Sequence, residues 1–245
     1  MERQMERCEL IHGIEEFSSI RGTSSHQQNP TILLCEKECT ETSGFCVGAA
    51  LMYSGGFQTQ IEKDQLKQVR VVMGINPETF SWKLNASERF NTPEVILSCS
   101  MEGTAKLSQQ FHKIIRHNVC RGKYQLSQRP ILINNWEATY FDFDEKKILD
   151  IAKEASKIGI DMFVLDDGWF GKRDSDNSGL GDWYVNENKI KGGLANLISK
   201  INDLGMKFGI WFEPEMVSED SDLYREHPEW AIKIPGRNPM RSRYQ

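Results

Sequence analysis

The first 100 residues carry short apolar runs, often alternating with polar residues, that are separated by Gly, Pro, Asn and Ser. Runs of this length, with period-two alternation and turn residues between them, predict β-strands. The predicted strands cover residues 31–35, 45–53, 57–61, 69–75, 81–84 and 95–98. Their close spacing favours an antiparallel sandwich.

A helical periodicity appears soon after residue 100. Residues 107–119 place Leu107 and Phe111 on one helical face. The stretch that follows is polar, contains Gly122 and ends near Gln128. We therefore predict a linking helix with a domain boundary behind it.

From Pro130 onwards, apolar runs alternate with amphipathic helices. The three runs are residues 131–134, 162–165 and 208–212, and the two helices between them are residues 144–158 and 194–204. Buried strands that alternate with helices require a parallel sheet, because each connection must cross a face of the sheet. The second half of the chain is therefore predicted to be an α/β fold.

Polar and aromatic residues follow each of these three runs, whereas the turns that lead into the next run are short and plain. In a βα barrel and in an open α/β sheet, this carboxyl edge of the strands binds ligands. A dinucleotide-binding open sheet favours a glycine-rich turn after its first strand, and residues 134–139 contain no glycine. The barrel is therefore the preferred architecture.

Composition and charge narrow the class of function. The 245 residues are 39% hydrophobic and 27% charged, which is typical of a soluble globular protein. The net charge is −5, so no summed positive field is available to hold a nucleic acid. No apolar run approaches the roughly 18 residues of a membrane-spanning helix. We expect neither a nucleic acid nor a membrane as partner.

The six cysteines all lie in the first half and form no Cys-x-x-Cys pair. The first ten residues lack the basic start and apolar stretch of a secretory signal. Both observations favour reduced thiols and a cytoplasmic location. A zinc site at Cys35, Cys39 and Cys46 would lack a fourth ligand at suitable spacing. We expect no cofactor and no metal.

Asp166 and Asp167 stand in tandem directly after the second apolar run. Removing ionised carboxylates from water is costly, so they require a cationic or hydroxylated partner. Trp136, Trp169 and Trp211 are predicted at the same edge. Carboxylates accept hydrogen bonds from hydroxyls, and the C–H face of a pyranose can lie on an indole. The combination therefore suits a sugar.

Other interpretations of the same residues remain open. Either aspartate alone could cap the loop by accepting backbone N–H bonds, and each tryptophan could be a core residue. The two aspartates with Asp182, Glu213 and Glu215 could hold a hard cation, although no histidine or dedicated loop supports this.

Several strings, in this order and spacing, resemble the bacterial α-galactosidases of glycoside hydrolase family 36. They are residues 131–140 (ILINNWEATY), 164–171 (VLDDGWFG), 181–183 (GDW), 209–216 (GIWFEPEM) and 222–228 (DLYREHP). In the first half, residues 21–30 (RGTSSHQQNP) and 74–82 (GINPETFSW) look like the N-terminal β-supersandwich of that family. The resemblance covers nearly the whole chain.

The resemblance implies a fold that is all-β at its start and α/β after it. A partial β-supersandwich is expected over residues 1–100, a linking helix and linker over residues 101–128, and the N-terminal part of a TIM-barrel catalytic domain over residues 129–245. This last part would hold the first three βα units of the (β/α)8 barrel.

The resemblance also implies a reaction. The family hydrolyses terminal α-1,6-linked galactose from melibiose, raffinose and related α-galactosides, with retention and without a cofactor. The implied partners are α-galactoside oligosaccharides, and the full-length parent is expected to be a homo-oligomer.

Individual residues take implied roles by motif. Trp136 resembles the tryptophan that walls the galactose subsite, and Trp211 resembles a second sugar-facing aromatic residue. Asp166 and Asp167 resemble the aspartates that bind galactose hydroxyls. Arg243 resembles an arginine that reaches the substrate from the following loop.

The catalytic strings of the family do not occur in this sequence. They are a Lys-Trp-Asp string that holds the nucleophile and a Cys-Ser-Gly-Gly segment that precedes the acid/base aspartate. We therefore expect the chain to be cut at both ends, with both catalytic aspartates beyond Gln245, and to be inactive alone. The alternatives are a galactosyltransferase of the raffinose-synthase type and a non-catalytic galactoside-binding protein.

Overall fold

The computed structural model of the protein describes residues 7–25, 27–78 and 80–239. The chain divides into two compact units, Met1–Ser127 and Gln128–Gln245. Among the described residues, no helix is both long enough and apolar enough to cross a membrane.

Two antiparallel sheets of three strands each form the described part of the first unit, with strand orders β1-β4-β5 and β2-β3-β6. The strands are β1 Gly13–Ser19, β2 Thr31–Cys35, β3 Cys46–Leu51, β4 Phe57–Lys63, β5 Val69–Ile75 and β6 Val95–Ser100. Alternate residues of β4 (Phe57, Thr59 and Ile61) are buried, as the period-two geometry of a strand requires. The predicted sandwich strands are therefore largely confirmed.

The helix α1, Gly103–Ile114, packs on the β2-β3-β6 sheet through Leu107 and Phe111. The ring of Phe111 lies so close to Gly48 in β3 that a Cβ there would be 2.4 Å from the ring. A π-helical turn, Ile115–Val119, continues α1. The predicted helix is thus present, but it begins four residues earlier than residue 107.

The predicted strand at residues 81–84 is wrong, because this segment pairs with no strand and is irregular. Its apolar residues pack locally instead: the ring of Trp82 lies 5.1 Å from that of Phe90. Strand β1 (GIEEFSS), in contrast, was not predicted. Its sequence is mostly polar, and its strand geometry depends on pairing with β4, where Phe17 faces Thr59.

The second unit contains a parallel sheet of order β7-β8-β9 in its described part. The elements are β7 Leu132–Asn134, α2 Trp136–Thr139, α3 Glu145–Lys157, β8 Met162–Leu165, α4 Gly193–Asp203, β9 Lys207–Ile210 and α5 Asp222–Glu226. The predicted alternation of strands and helices is confirmed, and the parallel order β7-β8-β9 fits the start of a βα barrel.

Local signals explain the boundaries of α3. The Asp144 carboxylate caps the start of the helix by accepting a hydrogen bond from the Lys147 N–H at 2.8 Å. Gly159, with φ +85°, follows the helix and allows the left-handed turn that ends it. Ile148 of α3 is fully buried in one core cluster with Phe163 of β8. This core holds α3 against the parallel sheet.

Candidate functional site

The three parallel strands end at one edge of the sheet. Asn134 at the end of β7 is in register with Val164 of β8, which in turn is in register with Gly209 of β9. Beyond the strands, the N–H of Trp211 donates to the Leu165 carbonyl at 2.9 Å. The residues that follow each strand therefore emerge at the same edge.

Asp166 follows β8 and is half-buried. One of its carboxylate oxygens accepts a hydrogen bond from the side-chain amide of Asn134, and the other accepts from the Asp167 N–H at 2.7 Å. Its own N–H donates to the side-chain oxygen of Asn135 at 2.8 Å. A carboxylate offers about four lone-pair positions, so Asp166 keeps capacity to accept from a ligand hydroxyl.

Asp167 has a different environment, because it is buried in an ion pair. The Arg173 Nη2 lies 2.9 Å from Asp167 Oδ2, and the side chains of Arg173 and Asp167 are 1% and 7% exposed. Asp167 Oδ1 also accepts from the Gly168 N–H at 2.7 Å. The cationic partner that tandem aspartates require is thus Arg173 for Asp167.

Trp136 begins the short helix α2 and is half-buried. Its N–H donates to the side-chain oxygen of Asn134 at 2.7 Å. Its ring meets the rings of Tyr140 and Phe141 edge-on, at 5.1 and 5.0 Å between centroids. Asn134 therefore joins Trp136 to Asp166, and these two predicted site residues are brought together.

The other two tryptophans of this edge differ in burial. Trp169 follows β8 at this edge but is 2% exposed and packs with Phe170, so it is a core residue, as one of the open interpretations allowed. Its indole N–H donates to the Trp211 carbonyl at 3.0 Å. Trp211 is only half-buried, with its ring 6.4 Å from that of Trp183. Through this hydrogen bond, Trp169 holds the backbone of Trp211 in place.

Asp182 has a structural role. It is 6% exposed, and its oxygens accept hydrogen bonds from the N–H groups of Asp222 and Leu223 at the start of α5. A buried carboxylate here satisfies helix N–H groups and complements the helix dipole. Within residues 7–25, 27–78 and 80–239, no group of three or more His, Cys, Asp or Glu side chains is arranged to hold a metal ion.

Sequence reasoning missed two cationic side chains that hold the loops around the aspartates. Arg173 is one, and Lys189 is the other: its ammonium group donates to the carbonyls of Phe141 and Gly168 at 3.0 and 3.1 Å. Arg173 lies only six residues after Asp167, and this proximity was the available signal. Arg243, the fifth predicted site residue, lies outside the described residues.

Comparison with known proteins shows the family to which this chain is similar. Residues 89–245 match the family model described as Melibiase, and residues 1–85 match that of the glycosyl hydrolase family 36 N-terminal domain. The bifunctional alpha-galactosidase/sucrose kinase AgaSK of Mediterraneibacter gnavus is 59% identical over 245 residues, which are 100% of this chain and 26% of that protein. Alpha-galactosidase AgaA of Geobacillus stearothermophilus is 50% identical over 244 residues, 100% of this chain and 34% of that protein.

Solved structures agree with the sequence matches. The galactosidase domain of AgaSK superimposes with a TM-score of 0.92 and covers all of this chain with 34% of its own. A variant of AgaA in complex with stachyose gives a TM-score of 0.93 at 49% identity, covering 99% of this chain and 34% of its own. The chain thus spans about a quarter to a third of the relatives that it matches. It belongs to glycosyl hydrolase family 36: residues 1–85 match the N-terminal domain of that family, and residues 89–245 match its melibiase model.

Proposed function

We propose that the whole protein is an α-galactosidase, and that this chain supplies part of its galactose pocket. The observation that carries the proposal is the carboxylate of Asp166, half-buried at the carboxyl edge of β8 and joined through Asn134 to Trp136. A carboxylate with free acceptor positions, at the same edge of the sheet as a half-buried tryptophan, suits the hydroxyls and the C–H face of a hexose.

The proposed substrates are terminal α-1,6-linked galactosides such as melibiose, raffinose and stachyose. Support comes from relatives: variants of AgaA have been solved in complex with stachyose and with raffinose. In this proposal Asp166, Asp167, Trp136 and Trp211 line the galactose subsite. Arg243 is proposed as a further substrate contact.

Retaining hydrolysis needs a nucleophilic carboxylate and an acid/base carboxyl about 5–5.5 Å apart. We propose that neither is among these 245 residues, because the family strings that hold them are absent from the sequence. This chain would then recognise galactose without cleaving its glycosidic bond.

Release of nitrophenol from p-nitrophenyl α-galactoside tests the proposal. The complete gene product should turn over this substrate, the 245-residue polypeptide should not, and Asp166→Asn should lower kcat/KM of the complete protein at least about tenfold, the loss of one hydrogen bond to a charged group. Asp150→Asn, an exposed aspartate paired with Lys146 on α3, is the matched control and should change nothing. Turnover by the 245-residue polypeptide that Asp166→Asn abolishes would overturn the proposal that this polypeptide is inactive alone.

The reaction products distinguish the proposed hydrolase from two alternatives. A galactosyltransferase of the raffinose-synthase type would transfer galactose to sucrose when sucrose is added, whereas a hydrolase releases free galactose. A non-catalytic galactoside-binding protein would bind galactose and release none.

We further propose that the whole protein acts in galactoside breakdown in the cytoplasm and forms a homo-oligomer. The thiols support a reducing location, since all six cysteines are free. Cell fractionation tests the location, and light scattering of the complete protein tests the oligomer.

A further inference from the structure

A buried arginine lies behind the proposed sugar contacts. The Nε of Arg173 donates to both oxygens of Asp167, at 3.1 and 3.2 Å, and Nη2 donates to Oδ2 at 2.9 Å. Its Nη1 donates to the carbonyls of Asp176 and Ser178, both at 2.9 Å. All three nitrogens are engaged, so the guanidinium cannot rotate without losing hydrogen bonds.

The same guanidinium also contacts Phe141, an aromatic residue that packs against Trp136. Its central carbon lies 5.7 Å from the centre of the Phe141 ring. That ring meets Trp136 edge-on at 5.0 Å and 89°. Arg173 therefore contacts Asp167 directly and Trp136 through Phe141.

A buried ion pair is by itself weak evidence for a stabilising role. The desolvation of two buried charges consumes most of their attraction, and apolar replacements of buried ion pairs are often neutral or stabilising. The role of the pair is therefore better explained by the residues that it orients.

We propose that Arg173 is a positioning residue for galactose recognition: it fixes Asp167, whose N–H donates to Asp166 at 2.7 Å, so that the free acceptor positions of the Asp166 carboxylate meet a sugar hydroxyl. This proposal rests on the proposed α-galactosidase function. A planar guanidinium holds a carboxylate at two points, whereas an ammonium group is a point charge that leaves the carboxylate plane free.

The primary test is Arg173→Lys in the complete gene product. The charge is kept, so the protein should fold, but the two-point contact is lost. A misplacement of about 1 Å in an active site costs on the order of 100-fold in rate. We expect kcat/KM for p-nitrophenyl α-galactoside to fall about 10–100-fold, mainly through KM, and the preference for α-galactoside over α-glucoside to shrink. A residue with only a structural role would lower the melting temperature without changing this preference.

A double variant tests whether Arg173 acts through Asp167. Arg173→Met with Asp167→Asn removes both charges, so no uncompensated charge stays buried. The galactoside preference of the double variant should equal that of Asp167→Asn alone, because the arginine has nothing left to position. If the double variant has a lower galactoside preference than Asp167→Asn alone, Arg173 does not act through Asp167 and the proposal is overturned.

Controls separate this inference from the proposed function. Arg70→Lys alters an exposed arginine that pairs with Glu62 at 2.6 Å, and should leave KM unchanged. Galactose affinity, measured by titration calorimetry, follows recognition independently of turnover. A wild-type protein without α-galactosidase activity would refute the proposed function. An active wild type with an unaltered KM in Arg173→Lys would refute only the role of Arg173.

Discussion

Asn134 holds Asp166 in place: its side-chain amide donates a hydrogen bond to one carboxylate oxygen of Asp166 across the parallel strands β7 and β8. The carbonyl oxygen of the same amide accepts from the N–H of Trp136 at 2.7 Å. One side chain thus uses both its donor and its acceptor to set an acid and an aromatic residue of the proposed pocket.

Asn134→Ala should weaken galactose recognition in the complete gene product. The variant removes a hydrogen bond to a charged group, which is worth about 1.5–3 kcal/mol, and also frees the start of α2. We expect kcat/KM for p-nitrophenyl α-galactoside to fall at least tenfold (about 1.4 kcal/mol). Steady-state kinetics provide the measurement.

The matched control for this variant is Asn202→Ala. Asn202 is an exposed asparagine near the end of α4. Its loss should leave kcat/KM within a factor of two. Equal kinetics for Asn134→Ala and Asn202→Ala would show that Asn134 does not organise the pocket.

The turn after Asp167 depends on Gly168, which has φ +90° and lies against the ring of Phe141. A Cβ at this position would be 2.9 Å from Phe141 Cδ1. Gly168→Ala should therefore carry two costs: about 1–2 kcal/mol for the left-handed backbone, and a further steric cost from Phe141. Urea unfolding of the 245-residue polypeptide measures the sum.

Gly159→Ala separates the two costs. Gly159 has a similar φ of +85°, and a Cβ at this position would meet nothing within 4 Å. This variant should therefore lose only the backbone contribution. If both alanine variants are equally destabilised, Phe141 does not crowd Gly168, and the aromatic support of the turn is refuted.

The sequence predicted the second unit better than the first for a physical reason. Strand β8 is a continuous apolar run, and Asp144 and Gly159 mark the ends of the helix before it. Strand β1 carries mostly polar residues, so its position follows from pairing with β4 and not from its own composition.

The candidate site was predictable as residues but not as contacts. The strand ends indicated the positions of Asp166 and Asp167, and the cost of burying carboxylates predicted that a partner exists. Which cation meets which aspartate depends on the loop that returns Arg173 to Asp167, a tertiary feature. The same holds for the tryptophans, because packing alone separates buried Trp169 from half-buried Trp136.

The thiol of Cys46 should make stability depend on pH in the alkaline range. Burial, together with the nearby Cys39 and Cys35, raises the pKa of this thiol from 9 to about 11. The unfolded thiol loses its proton from about pH 9, whereas the folded one keeps it to about pH 11. Stability contributed by this group is therefore fully present below pH 9 and is lost as pH rises from 9 to 11.

Urea unfolding of the 245-residue polypeptide at pH 8, 9, 10 and 11 measures this loss, which should be on the order of 2 kcal/mol. Cys46→Ala cannot ionise at this position, so its stability should fall less steeply over the same range, even though its stability at pH 8 is lower. Cys99→Ala, at an exposed cysteine of β6, should keep the slope of the wild type. Parallel slopes for the wild type and Cys46→Ala would mean that the Cys46 thiol ionises as easily in the folded protein as in the unfolded chain, contrary to its burial in the cluster with Leu107 and Phe111 of α1.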